Sequence, residues 1–347
     1  MNRHIFLSTL AVAIGLQTGA QGLPDWENPQ VIGINKEPYH TTLTLPSRKA
    51  ECGEVVSLNG RWKFMWSKDP LHRLADFYRE DFDASGWDEI TVPGNWQMQG
   101  YGMPIYSNWT HPFVKDAPYV MGKPPREYFS YENRNPVGSY ITEFAIGESE
   151  TGKRVFLHFE GVKSAMYVWV NGQKVGYSEN SMSPAEFDIT DHVRQGTNRL
   201  AVEVYRWSDS SYIEDQDMWR LSGIFRPVEL WIRPQANIRD YTVEAVPSED
   251  FSSASLSGSF HVRNMSEKAA KNLSVVMEVS GPDAYGYEET LSVSSESFTV
   301  LPSGEVEIKM MTDLKYPRLW SAEKPELYDV EIRLMDRKKV VDRKSTL

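Results

Sequence analysis

The chain has 347 residues, 40% of them hydrophobic and 12% aromatic, and a net charge of −11 from 37 Lys+Arg against 48 Asp+Glu. That apolar fraction supports a packed core and excludes global disorder. The acidic balance lacks the basic footprint that a nucleic-acid backbone requires, so no nucleic-acid partner is expected. At roughly 100–200 residues per domain the length favours two domains, although one large β domain also fits.

In chain order, Asn2-Arg3-His4 is a short basic region, residues 5–16 form an apolar run, and Gln17-Thr18-Gly19-Ala20 offers a small-residue cleavage site. This layout predicts a secretory signal over residues 1–22, too short in its apolar part to span a bilayer. No later segment approaches 18 uninterrupted apolar residues, so the mature protein is expected to be soluble and exported, periplasmic or extracellular. The single cysteine, Cys52, excludes an intramolecular disulfide and a Cys-based zinc site, and reads as a small structural residue. Residues 23–55 read as an N-terminal extended segment.

Strands and turns dominate after residue 50, and the best helical candidate, 71–79, is short. Residues 139–146, Arg154–Phe159, Ala165–Val170, 199–206 and 227–232 are β-branched and aromatic runs. Asn171-Gly172 stands between Ala165–Val170 and a resumed run at 174–177, which predicts a hairpin. Many short strands with frequent turns point to a sandwich or jelly roll over 56–234. A boundary falls near Gln235. Beyond it YTVEAVP, SLSGSFHVRN, NLSVVMEVSG, ETLSVSSES, EVEIKMMT and LYDVEIRLMD alternate with period two, which predicts an immunoglobulin-like sandwich over 235–347. The chain stops at Lys344-Ser345-Thr346-Leu347, directly after a strand and a charged turn, so this sandwich is expected to lack its last strand.

Two clusters could carry chemistry. Residues 206–226, RWSDSSYIEDQDMWRLSGIFR, hold four carboxylates, two Trp, a Tyr and three Arg. This is a ligand-binding loop or a structural loop with mutually paired Arg and Asp. The other cluster joins Val92-Pro93-Gly94-Asn95-Trp96-Gln97 to Pro104-Ile105-Tyr106-Ser107-Asn108-Trp109-Thr110. Its aromatic and amide side chains suit sugar recognition, while Trp96 and Tyr106 themselves read as core. Asn108, Asn264 and Asn272 each begin an Asn-X-Ser/Thr glycosylation pattern, a weak signal. No phosphate loop, dinucleotide fingerprint, serine elbow or metal-spaced histidine set is present.

Longer matches are more specific. SLNGRWKFMW, FDASGWDEITVPGNWQMQGYGMPIYSN, NPVGSY, FEGVKSAMYVWVNGQKVGYSENSMSPAEFDIT, NRLAVEVYRWSDSSYIEDQDMWRLSGIFRPV and PRLWSAEKPELY occur in the order and spacing of glycoside hydrolase family 2 β-galactosidases. From about residue 28 to 347 the chain resembles the N-terminal part of that family. The resemblance implies an all-β chain, a galactose-binding-like jelly-roll domain followed by the immunoglobulin-like domain, with the catalytic TIM barrel missing. It also implies hydrolysis of terminal non-reducing β-D-galactose from β-galactosides, with retention. Retention needs two carboxyl groups roughly 5–5.5 Å apart, and in the family both lie on the barrel, one of them in an Asn-Glu pair. No Asn-Glu occurs here, and Glu132 and Glu179 precede their Asn, so no catalytic residue is assigned and the isolated chain is expected to be inactive.

Two site residues carry over by the resemblance. Asn108, in Ile-Tyr-Ser-Asn, matches the Asn that reaches the galactose subsite. Asp209, in Arg-Trp-Ser-Asp, matches the Asp that bonds galactosyl hydroxyls and helps hold sodium; the family's magnesium is bound by barrel residues, so no magnesium ligand is assignable. The alternative for both is a polar residue that stabilises its own loop. Gly102 and His111 depart from the family's usual Asp and Tyr at those positions. β-Galactoside sugars are the expected partners, and the family commonly forms homo-oligomers. Two other readings stand beside this one: a stand-alone carbohydrate-binding or adhesion protein, and a chain that complements a separate barrel subunit.

Overall fold

The computed structural model describes residues 22–42, 54–108, 110–282 and 286–347. The expected signal segment, apart from Gly22, lies outside the described residues, as does Cys52. Among the described residues no helix is long and apolar enough to cross a membrane. The architecture is almost wholly antiparallel β, as the runs of Val, Ile, Tyr and Trp bounded by turn residues dictate.

The first sandwich pairs a seven-stranded sheet with a four-stranded one. The larger sheet runs Gly33–Ile34, Gln173–Ser178, Ala165–Val170, Gly196–Tyr205, Val137–Ile146, Gly60–Ser67 and Asp88–Val92. The smaller runs Ala185–Asp188, Arg154–Phe159, Val228–Arg233 and Glu54–Ser57. Alternation sorts the side chains: Met166, Val168 and Val170 join Phe64, Tyr140, Val202, Leu157 and Leu230 in the core between the sheets. Tyr167 and Trp169 point to the other face, where they meet two further apolar clusters. At the expected hairpin, Asn171 and Gly172 both take positive φ, 50° and 77°, as a two-residue primed turn requires. The Asn171 side chain also donates to His192 O and Asn198 Oδ1, so this turn is tied to its neighbours.

The segment 71–79 is not a helix. A 3-10 turn at Pro70–His72, capped by Asp69, is followed by irregular turns. Phe77 and Tyr78 instead pack on the outer face of the large sheet, Tyr78 stacking on Trp169 at 5.0 Å between ring centroids. Burial of those rings outweighs a short, weak helical preference.

The second sandwich sets the strands Ala236–Pro247, Ser253–Asn264 and Gly304–Lys315 against a five-stranded sheet. The latter contains Glu288–Ser294, Ala270–Pro282, Asp329–Asp336 and Lys339–Thr346, with Phe298–Val300 also paired to Ala270–Pro282. Burial in Ser253–Asn264 alternates without a break, the period-two pattern visible in SLSGSFHVRN. The tail after Asp336, read from sequence as a charged turn and chain end, contains Lys339–Thr346, a strand paired along Asp329–Asp336. No apolar alternation marks it, because its buried positions, Asp342, Lys344 and Ser345, are themselves polar and Val340 is exposed. Asn264 is buried and donates to Lys268 O and Val300 O, so it is a structural residue and not a free glycosylation acceptor.

Residues 33–41 join the two sandwiches. Gly33–Ile34 extends the large sheet, Thr41 N donates to Asp240 Oδ1 at 2.8 Å, and Glu37 pairs with Arg263 at 2.8 Å. Between them, Glu186 accepts contacts from His40 Nε2 at 3.2 Å and His158 Nδ1 at 3.3 Å, and His158 stacks on Trp231 at 4.1 Å. Burial alone would raise the Glu186 carboxyl, yet its bonds to His158 and His40 outweigh that and hold it well below the usual carboxylate range.

Candidate sugar-binding site

The acidic, aromatic loop 206–226 leaves the strand Gly196–Tyr205 and returns to Val228–Arg233, so both of its ends are fixed by sheets. Its start is clamped from below. Asn135, fully buried, exchanges two hydrogen bonds with the Trp207 backbone, each at 2.8 Å. Arg206 donates to Met103 O at 2.9 Å and to Arg220 O at 3.2 Å, and its guanidinium lies 5.0 Å from the Trp207 ring. With no carboxylate beside it, burial pulls this guanidinium down to about 9. Further on, Arg220 pairs with Asp215 and donates to Ser107 O, and Glu214 accepts from Ser181 N. The mutual Arg–Asp pairing of a structural loop is therefore present in part.

The pairing is incomplete around Asp209. This residue opens a 3-10 turn, Asp209–Tyr212, and is 8% exposed. Its Oδ1 is buried without a hydrogen-bond partner, and so are Trp207 Nε1, Arg206 Nε, Arg220 Nε, Ser222 Oγ, Tyr177 Oη and Lys163 Nζ. Most buried polar atoms in proteins are paired; others without a partner occur elsewhere in this sandwich, at Ser139, Arg154 and Arg199 among them, and in this loop it is the Asp209 carboxylate that is left with an open acceptor. Glu179, 3% exposed, lies against Asp209. Burial first, and then the Asp209 carboxyl, push Glu179 upward, and in its acid form Glu179 can donate a hydrogen bond to Asp209. Burial likewise lowers the Lys163 ammonium, offset in part by Glu214.

Asn108 lies at the exposed end of the strand Ile105–Ser107, which pairs with Met218–Arg220. The structure thus brings the two sequence clusters together as one two-stranded ribbon. Asn108 and Asp209 themselves differ: one is exposed and the other is buried at the loop's base. Tyr106, read from sequence as core, is 54% exposed, and its partner across the ribbon, Trp219, is 58% exposed. Their rings lie 5.7 Å apart, and Tyr106 Oη donates to Asp217 at 2.6 Å. A two-stranded ribbon has no second sheet to cover it, which is why the apolar pattern misplaced Tyr106. Trp96, by contrast, is fully buried in the core, as expected.

The two departures have local reasons. Gly102 has φ +71°, which favours glycine, and a Cβ there would meet Arg206 Nη1 and Phe129 at 3.8 Å. His111 stacks on Phe113 at 5.2 Å and approaches Asp215 at 3.5 Å; burial lowers it despite that carboxylate. Sequence reasoning missed Glu179 as a site residue, and its place just after the hairpin's second strand carries no signal of its own. As a cation site the residues fit only in part. Asp209 Oδ1 is an unpartnered hard oxygen, but among the described residues no group of three or more His, Cys, Asp or Glu could hold a metal ion.

Residues 55–234 match the family described as glycosyl hydrolases family 2, sugar binding domain, and residues 236–347 match glycosyl hydrolases family 2. The chain is 38% identical to a β-galactosidase of Priestia megaterium over 324 residues, 91% of this chain and 30% of that one. It is 37% identical to a β-galactosidase of Clostridium acetobutylicum, over 89% of this chain and 33% of that one. It therefore spans about a third of the length of the curated relatives it matches. Solved structures share the fold: Bacteroides uniformis β-glucuronidase 2, as a calcium-binding mutant, superposes with a TM-score of 0.65 at 20% identity, over 84% of this chain and 32% of that one. A putative β-galactosidase from Bacteroides fragilis gives 0.61 at 23%, over 84% and 40%.

Proposed function

We propose, because the chain belongs to glycosyl hydrolase family 2, that it is the N-terminal, non-catalytic part of an exported β-galactosidase. The parent reaction is hydrolysis of terminal non-reducing β-D-galactose residues from β-galactosides with retention, and no catalytic carboxylate is assigned to this chain. What supports the reading is the match of residues 55–234 to the sugar-binding domain of the family, together with the buried, unpartnered Asp209 Oδ1 in its acidic loop. In this reading Asp209 accepts hydrogen bonds from galactosyl hydroxyls at the base of the loop, and Asn108 reaches the sugar from the ribbon. Glu179, as an acid, holds the Asp209 carboxylate in place.

Sodium would be held by Asp209 together with ligands from outside this chain, supplying a fixed positive charge that orients a sugar hydroxyl. Magnesium belongs to the catalytic part, and no magnesium ligand is assigned to this chain. Tyr106 and Trp219 supply an exposed aromatic surface against which the catalytic part seats. Export rests on the leader-like segment 1–22, and homo-oligomers belong to the whole enzyme.

Two measurements test this. The pure chain is expected to release no nitrophenol from a nitrophenyl β-galactoside above a matched blank; release would overturn the non-catalytic assignment. Calorimetric titration with galactose is expected to show at most millimolar affinity, about −4 kcal/mol. Micromolar binding would favour a stand-alone carbohydrate-binding protein.

A further inference from the structure

We propose that the outer face of the seven-stranded sheet carries a second saccharide-binding cleft, separate from the Asp209 loop. A cavity of about 450 Å³ opens there between the N-terminal segment at Pro24 and Trp26 and the turn at Arg73–Tyr78. Its volume is within the range of small-ligand sites. Its floor is made by Tyr167, Glu203 and Tyr205 of the central strands, with Lys174 at the side. It shares no lining residue with the 206–226 loop.

The chemistry of the lining selects the ligand class. Glu203 is 4% exposed, and Tyr205 Oη at 2.7 Å and Arg73 Nε at 3.3 Å both address its Oε1. On the other side Tyr167 Oη donates to Asp25 Oδ2 at 2.8 Å, and Lys174 Nζ lies 3.9 Å from the same oxygen and 4.3 Å above the Tyr167 ring. Arg73 is paired with Glu203 in the lining and Lys174 with Asp25 just outside it, so each cation has its carboxylate and no uncompensated charge is left to favour a phosphate or a polyamine. What remains is closely spaced donors and acceptors beside aromatic rings. Sugar hydroxyls donate to carboxylates and accept from ammonium and guanidinium groups, while sugar C–H surfaces suit aromatic walls.

The test uses the full chain, with backbone NMR signals followed during titration with galactose, lactose and a longer β-galacto-oligosaccharide. Signals of Tyr167, Lys174 and Glu203 are expected to shift with at least one of these. Lys174→Ala, a rim change at a half-exposed residue, and Glu203→Gln are expected to weaken that response about tenfold, which corresponds to about 1.4 kcal/mol. Asp209→Asn is expected to leave it unchanged, so failure of the proposed galactose site and failure of this cleft are distinguishable. No cleft shift up to about 50 mM sugar, far above the millimolar range of a weak open site, overturns the proposal. So does a cleft response that Asp209→Asn abolishes while both cleft variants, folded by their NMR spectra, retain it.

Discussion

The two sandwiches are built by the same alternation but differ in how completely they satisfy themselves. In the second, among the described residues, the buried polar side-chain atoms without a partner are Gln235 Oε1 and Arg263 Nε, both near the junction with the first. Its core is aliphatic with few rings, Phe260 and Tyr241 among them. In the first, aromatic rings fill the core and cover the outer face of the large sheet, and unpartnered polar atoms are more numerous, several of them in the 206–226 loop. A domain that completes its own hydrogen bonds has a structural task. One that leaves polar atoms of Asp209, Arg206 and Ser222 without a protein partner leaves them to water, an ion or a ligand.

The largest expected effect lies in the self-satisfied domain. Gly258 leaves the space that the Phe260 ring occupies: a Cβ at 258 would lie 2.5 Å from Phe260 Cζ. Phe260→Ala is expected to cost about 3–5 kcal/mol through lost burial and the cavity left behind. Denaturant melts should show the second sandwich unfolding first. If both sandwiches unfold together with an unchanged midpoint, the contrast in packing drawn above is wrong.

The junction comes next. Glu186 is held below the usual carboxylate range in the folded chain, so the folded state binds fewer protons than the unfolded one. Its contribution is therefore present above the ordinary glutamate range and lost as pH falls through and below it. Glu186→Gln is expected to cost about 2–3 kcal/mol at neutral pH by leaving buried imidazoles without their carboxylate, and to flatten the acid limb of the stability profile. An unchanged acid limb would sink this account. Asn135→Ala, which orphans both backbone groups of Trp207, is expected to cost about 1–3 kcal/mol. It should also loosen the 206–226 loop, seen as faster amide exchange at Trp207 and Asp209 than in the second sandwich.

How much of this was legible in the sequence follows the same divide. Where a strand has one buried face, as in Ser253–Asn264, period two reads its register directly, and Asn171-Gly172 reads as a turn because few other residue pairs accept two positive φ angles. Periodicity carries no signal where burial comes from a distant part of the chain. Phe77 and Tyr78 looked helical because their real partner, Trp169, lies 91 residues beyond Tyr78 in the chain. Lys339–Thr346 looked like a tail because the residues it buries, Asp342, Lys344 and Ser345, are polar. The density of charge and aromatics singled out residues 206–226, but not the meeting of Glu179 with Asp209. That contact is made by tertiary structure between a hairpin end and a loop.

The smallest expected effect is the most telling about the ribbon. Tyr106 and Trp219 are over half exposed, so removing the Tyr106 hydroxyl takes away one solvent-accessible bond to Asp217 and little burial. Tyr106→Phe is therefore expected to change the stability of this chain by less than about 0.5 kcal/mol. If the ribbon is a seat for the catalytic part, a deeper truncation at the same place, Trp219→Ala, should leave the melt of this chain nearly unchanged and still weaken its association with that part. Loss of stability from either change in the isolated chain would mean that the rings serve the fold of the first sandwich, and the contrast between a closed domain and an open one would then be drawn in the wrong place.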